Sequence, residues 1–190
     1  DMGYDLILVA RRKKKLEELK KQLTTKVTII NLDISSTYNC MKLYDKVKKE
    51  DIDIVINNAG FGLFGEFTET SLDKELDMID TNIKAVHTLT KLFLKDFKEK
   101  DSGYILNVSS SAAFLSGPLM STYYATKGYV LKLTEAIYEE LRREDSNVYI
   151  GALCPGPVDT EFNDVANVKF SIQSLNSQDV AEYAINQMFK

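Results

Sequence analysis

The chain has 190 residues, 27% of them charged and 44% hydrophobic, with a formal net charge of −4 at pH 7. That length and balance fit one globular domain, residues 1–190, long enough to bury a real core. They leave no basic surplus for nucleic acid or an anionic membrane surface, and no apolar run approaches the roughly 18 residues of a membrane span. Two cysteines, Cys40 and Cys154, stand far apart, which fits a reduced pair in a cytoplasmic protein. The start, Asp1-Met-Gly-Tyr-Asp-Leu6, has neither signal-peptide nor transit-peptide character. The one histidine, His87, lies in a helical stretch, and no spacing of His, Cys and carboxylates predicts a metal site.

Asp5-Leu-Ile-Leu-Val-Ala10 is a continuous apolar run, the pattern of a strand covered on both faces. Arg11 to Leu23 follows as a helix, with Leu16, Leu19 and Leu23 at helical spacing among lysines. Lys26 to Leu32 is the second strand, ending at Asp33. Thr37 to Lys49 is an amphipathic helix, and Asp51 to Ile56 the third strand. This alternation predicts an α/β fold with a parallel sheet and crossover helices. Asn57-Asn-Ala-Gly60 then stops the third strand. It is either an ordinary turn or a place where small residues let a ligand approach the backbone, beyond the carboxyl end of a strand. Phe61, Phe64 and Phe67 come next, either lining a substrate entrance or, by default, packing under the loop.

Ser71 to Lys100 predicts one long helical stretch with Asn82, a poor helix former, in its middle. No Pro or Gly interrupts residues 73–102, so a distortion there must come from a side chain or a water. Tyr104 to Val108 is the fourth strand, Ser121 to Arg143 a second long helix, and Asn147 to Leu153 the fifth strand. Cys154-Pro-Gly-Pro-Val-Asp-Thr160 is a turn fixed by two prolines and a glycine. Residues 161–175 show no clean period. Ser177 to Lys190 predicts a last helix with Val180, Ala184 and Met188 on one face.

Ser110, Tyr123 and Lys127 carry recognisable chemistry. The tyrosine and lysine stand four apart at the start of the second long helix, hence on one face. An ammonium beside a phenol predicts a tyrosine pKa lowered toward working pH. Such a tyrosine can give a proton to a carbonyl oxygen or take one from an alcohol, and the Ser110 hydroxyl can reach the same oxygen. Tyr38–Lys42 and Tyr44–Lys48 repeat the spacing but lie in a charged amphipathic helix, where a solvated face explains them.

In order and spacing, L-V-A-R-R at 8–12, N-N-A-G at 57–60, N-I-K-A-V at 82–86, N-V-S-S at 107–110, Y-Y-A-T-K at 123–127 and P-G-P-V-D-T at 155–160 resemble the short-chain dehydrogenase/reductase family over nearly the whole chain. The resemblance implies a Rossmann-like, doubly wound parallel sheet. It implies an oxidoreductase moving a hydride between a nicotinamide cofactor and a carbonyl or secondary alcohol. Catalytic roles would fall on Asn82, which orders a proton-relay water, Ser110, which holds the substrate oxygen, Tyr123, the proton donor, and Lys127, which also binds the nicotinamide ribose beside Tyr123. Asn58, Ala59 and Gly60 would pass along the adenosine half, with Asp33 near the adenine. Pro155, Gly156, Val158 and Thr160 would hold the nicotinamide end, and residues 161–175 would form a substrate lid. The family implies a homo-oligomer, dimer or tetramer, paired through the two long helices. Leu92, Leu131 and Ile137 then lie either in that seam or against their own sheet.

Arg11, at the exit of the first strand, favours NADP over NAD, because a guanidinium pairs with a phosphate and gains little from a bare hydroxyl. The partner is a small-molecule carbonyl or alcohol. Phe61, Phe64, Phe114, Leu115, Leu119 and Met120 point either to an apolar pocket for it or to core packing. One departure stands at the front. The family's first strand and its glycine-rich turn, T-G-x-x-x-G-x-G, have no counterpart here, so the expected fold is truncated at its N-terminus. The strand concerned is the central one, and its loss leaves unpaired backbone on two others. Two rivals follow: a non-catalytic dinucleotide-binding or interaction protein on the same fold, and a sugar-nucleotide epimerase or dehydratase, which shares Tyr-x-x-x-Lys.

Overall fold

The computed structural model describes residues 2–162, 166 and 173–190. Strand β1, Leu6–Ala10, leads through helix α1, Lys13–Gln22, to strand β2, Val27–Asn31, and helix α2, Thr37–Val47. Strand β3, Ile54–Asn57, is followed by helix α3, Leu72–Ile79, a π-helical turn, Asp80–Ala85, and helix α4, Val86–Lys100. Strand β4, Tyr104–Val108, a 3-10 turn, Ser111–Phe114, helix α5, Ser121–Arg143, strand β5, Tyr149–Leu153, and helix α6, Ser177–Met188, complete the order. The substrate lid expected over residues 161–175 falls largely on residues 163–165 and 167–172, which lie outside the described residues.

All strand pairs are parallel, as the alternation predicted, but they form two sheets among the described residues: β1–β2, and β3–β4–β5 with β4 in the middle. β1 and β3 each keep one unpaired edge, and both strands line the same cleft. These are the two edges that a sheet without its central strand leaves open, and Ile56 of β3 is accordingly 45% exposed.

One core nevertheless serves both sheets. Cys40, Leu43 and Val47, spaced three and four apart, turn one face of α2 inward. They join Ile30 of β2, Leu89, Phe93 and Phe97 of α4, and Ile105 and Ile150 of the second sheet in a single buried cluster. Ile7 and Val9 of β1 and Val55 of β3 pack against that cluster, so α2 and α4 form a layer bridging the slot. Each large apolar side chain buried there contributes roughly 1.5–3 kcal/mol. On the opposite face, Ala184 and Met188 of α6 cover Leu106 of β4. Leu131 is buried within its own chain and Ile137 packs against the shared core, which favours the second of their two expected placements.

A polar thread runs through this core. Asn57 Nδ2 donates to Asn107 Oδ1 at 2.8 Å and to Thr90 Oγ1 at 3.1 Å, and Asn107 Nδ2 donates to Thr134 Oγ1 at 3.0 Å. The Thr134 hydroxyl passes on to the Val130 carbonyl at 2.7 Å. Four elements, β3, α4, β4 and α5, are thereby joined by mutually satisfied buried groups. Gly103 enters β4 at φ 135°, where a Cβ would come within 2.5 Å of the Phe97 ring.

Candidate active site

The candidate residues meet at the carboxyl ends of β3, β4 and β5. Past Val108, the Ser109 hydroxyl donates to the Lys127 carbonyl at 2.8 Å and so fastens α5 to the end of β4. The next hydroxyl, Ser110 Oγ, accepts from Ala112 N at 3.1 Å and caps the 3-10 turn. α5 begins with the chain folded back over this turn, and its first turn presents Tyr123 with Lys127 one turn further on. Lys127 Nζ lies 5.9 Å from the centre of the Tyr123 ring and donates to the Val108 carbonyl at 2.8 Å.

Both groups are nearly removed from water, Lys127 to 6% exposure and Tyr123 to 8%. Burial lowers the Lys127 pKa to about 8, so the ammonium persists at pH 7. Burial also raises the Tyr123 phenol above its ordinary value, against the opposing pull of the Ser110 hydroxyl. This corrects the expectation of a lowered phenol. The ammonium is aimed at the Val108 carbonyl, and leaving water costs the phenolate more than the Ser110 hydroxyl returns.

Asn82 sits at the centre of the π-helical turn, so the distortion expected in the long helix is present at this residue. Its amide holds three partners. Asn82 Oδ1 accepts from Phe61 N at 3.1 Å, while Nδ2 donates to the Phe61 carbonyl at 2.9 Å and to Thr126 Oγ1 at 3.0 Å. The Asn57–Phe61 turn is thus pinned to the helix that carries Tyr123. Gly60 is drawn in so far that an added Cβ would stand 3.0 Å from Asn82 Oδ1 and 3.4 Å from Lys127 Nζ.

Ser110, Tyr123 and Lys127 open into one cleft of about 1790 Å³ that includes the slot between β1 and β3. The same cleft is lined by Arg11, Asp33, Asn58, Ala59, Gly60, Pro155, Gly156, Val158 and Thr160. Asp33 accepts from Ser35 N at 3.0 Å, which holds its carboxyl below the usual range, and Arg11 stands 3.8 Å away. The turn after β5 is held on both sides, by Ser111 N donating to the Pro155 carbonyl and Leu175 N to the Pro157 carbonyl, each at 2.8 Å. Thr160 Oγ1 accepts from Phe162 N at 3.2 Å.

Sequence reasoning missed several contacts here. The Phe162 ring covers that of Tyr123, centres 5.2 Å apart, while Phe64 N donates to the Ala166 carbonyl at 3.1 Å. Glu75 is buried with Thr70 and Thr122 as hydroxyl donors, the second at 2.9 Å, in the turn just before Tyr123. Glu161 pairs with Arg12 and Lys15 across the cleft. Of the candidate apolar residues, Met120 is buried and Phe61 half-buried, while Phe64, Phe114, Leu115 and Leu119 are exposed. Phe67, expected under the loop, is 66% exposed instead, because the turn it belongs to closes on the Thr70–Glu75 contact rather than on a ring.

A family model for short chain dehydrogenases matches residues 1–169. The NADP-dependent 3-hydroxy acid dehydrogenase of Schizosaccharomyces pombe is 33% identical over 193 residues, covering 93% of this chain and 74% of that protein. A short-chain dehydrogenase from Sphingobium yanoikuyae, solved with NADPH, superposes with a TM-score of 0.88 at 26% identity, covering 97% of this chain and 74% of that one. An alcohol dehydrogenase from Thermococcus sibiricus, solved with 5-hydroxy-NADP, reaches 0.85 at 28% identity over 99% of this chain and 81% of that one. The chain belongs to the short-chain dehydrogenase/reductase family. It is an oxidoreductase of the nicotinamide-dependent kind, and the non-catalytic rival is not favoured.

Proposed function

We propose that the protein transfers a hydride between NADP and a carbonyl or secondary alcohol, with NAD as a weaker alternative, and that Tyr123 moves the proton. The observation that carries this reading is the convergence of Ser110, Tyr123 and Lys127 at one end of a cleft whose other end holds Arg11 and Asp33. Relatives of known structure bound to NADP or NADPH support the choice of cofactor. The fit is supported by Gly60, whose missing Cβ leaves room between Asn82 and Lys127, and by a guanidinium at the adenosine end.

The nicotinamide would supply or accept the hydride. Asn58, Ala59 and Gly60 would lie along the adenosine half of the cofactor, Asp33 near the adenine, and Arg11 on the ribose phosphate. Pro155, Gly156, Val158 and Thr160 would hold the nicotinamide end, with Lys127 on its ribose. During reduction, Tyr123 gives its proton to the carbonyl oxygen while the Ser110 hydroxyl donates to the same atom. Lys127, still protonated at pH 7, offsets the charge left on the phenol. Asn82 holds the Asn57–Phe61 turn in place and orders the water through which Tyr123 regains its proton. Phe162, lying on the Tyr123 ring, keeps bulk water from the phenol.

In this reading residues 1–190 act as one domain, and a strand hydrogen-bonded to both β1 and β3 would complete its sheet. Two free cysteines, one buried and one half-buried, support a cytoplasmic setting. Among the described residues no helix is long and apolar enough to cross a membrane. Homo-oligomers would pair through α4 and α5, whose exposed Tyr129 and Tyr138 are better candidates for the seam than the buried Leu131.

The test is Tyr123→Phe in the protein expressed from its complete reading frame. NADPH-dependent carbonyl reduction should fall by roughly two to four powers of ten with NADPH binding largely kept. Tyr38→Phe and Tyr44→Phe should do nothing comparable. Turnover by Tyr123→Phe within about threefold of the parent would end the assignment.

A further inference from the structure

Arg12 stands on one wall of the cleft and Glu161 on the other, with Lys15 of α1 reaching the same carboxylate. Arg12 is the first residue before α1, and Glu161 directly follows the turn proposed for the nicotinamide end. Arg12 Nη2 donates to Glu161 Oε2 at 2.6 Å, and Lys15 Nζ takes the second carboxylate oxygen. Together the two cations hold the Glu161 carboxyl down to about 2. The neighbouring Arg11 is held far more loosely, 3.8 Å from Asp33.

This bridge has the charge pattern of an anion site filled from within. Two cations on one carboxylate leave a unit of positive charge uncompensated. A phosphate monoester brings roughly −1.5 to −2 charges and three acceptor oxygens, so it matches Arg12 and Lys15 better than the carboxylate does. The site lies one residue beyond Arg11, on the side of the cleft where the adenosine ribose is proposed to rest. A ligand phosphate entering there meets the loosely held Arg11 beside an Arg12 already taken by Glu161.

We propose that Glu161 is an internal competitor for the 2′-phosphate of NADP at Arg12 and Lys15, so that this residue sets how strongly the protein separates NADP from NAD. The inference rests on the NADP reading above. The carboxylate must leave before the phosphate can bind, so the site's affinity for the phosphorylated cofactor is lower than its two cations alone would give.

The experiment is calorimetric titration of the complete protein with 2′,5′-ADP and with 5′-AMP, neither of which carries a nicotinamide. The parent should bind 2′,5′-ADP more tightly than 5′-AMP. Glu161→Gln should tighten 2′,5′-ADP by roughly two- to tenfold, the scale of two exposed ion pairs, and leave 5′-AMP unchanged. Adding Arg12→Ala to Glu161→Gln should remove the gain. If Glu161→Gln leaves 2′,5′-ADP binding unchanged or weaker, Glu161 does not compete. If it tightens both ligands equally, the bridge is an obstruction and not a competitor for phosphate. A parent with no preference for 2′,5′-ADP overturns the NADP reading and this inference with it. A parent that keeps the preference while Glu161→Gln changes nothing overturns this inference alone.

Discussion

Replacing Lys127 by methionine should inactivate the enzyme and yet make the protein more stable at neutral pH. Lys127 is 6% exposed, and its pKa falls from the ordinary 10.5 to about 8 because burial disfavours the ammonium. The unfolded chain therefore binds more protons than the folded one between those two values, and stability rises as pH rises through that window. Below it, keeping the charge buried costs about 3 kcal/mol, the shift converted at 1.36 kcal/mol per unit. Methionine fills a similar volume without the charge but leaves the Val108 carbonyl without its 2.8 Å donor, a loss of about 1–2 kcal/mol. The variant should thus be more stable by about 1–2 kcal/mol at pH 7, with the advantage gone by about pH 10. Urea unfolding of parent and variant at pH 7, 8.5 and 10 reads this directly, provided the slope against urea stays the same. A variant less stable than the parent at pH 7, or a difference that does not change with pH, would show that the ammonium is not held against its solvation.

Arg11→Asp should weaken NADPH binding by about one to two powers of ten and NADH binding far less; equal effects in a fluorescence titration would remove Arg11 from the phosphate site. Glu75→Ala leaves the Thr122 hydroxyl without its 2.9 Å acceptor beside the first turn of α5, and should lower Tm by roughly 3–10 °C in calorimetry. No change in Tm would mean that this buried carboxylate is dispensable. Gly103→Ala forces a Cβ to 2.5 Å from the Phe97 ring at a φ of 135°, and should cost about 2–4 kcal/mol in urea unfolding. A loss under about 0.5 kcal/mol would show that Phe97 yields easily.

The strands and their direction could be read from short apolar runs because each is covered by helices, as Ile105 in β4 illustrates. Tyr123, Lys127 and Ser110 were legible as a candidate cluster because they lie close together along one helix and one preceding loop. Asn82 was legible as an oddity within a helix, although its bonds to Phe61 and Thr126 were not. What stayed hidden depends on pairs far apart in the chain. Glu161 lies 149 residues from Arg12, and Glu75 lies 47 from Thr122. Nothing local marks either as a partner. Asn107 left a usable signal, a polar residue within an otherwise apolar strand, which in a buried sheet demands a partner. The direction of the Tyr123 shift was misread because a sequence shows which charge is near and not how much water is lost.

The amide pair Asn57 and Asn107 has a consequence for how the chain finds its fold. These residues are opposite one another on the last rung between β3 and β4, though 50 positions apart in the chain. Parallel strands of short apolar residues can pair nearly as well one step out of place. Such a slip would set Asn57 against Leu106 or Val108, turn its side chain away from Thr90, and strand two amides in hydrocarbon. Misaligned pairings would then be short-lived, and a chain that must close so long a loop would be returned to search again before α5 locks over them. Asn57→Val with Asn107→Val would keep the apolar packing while erasing that proofreading of strand alignment.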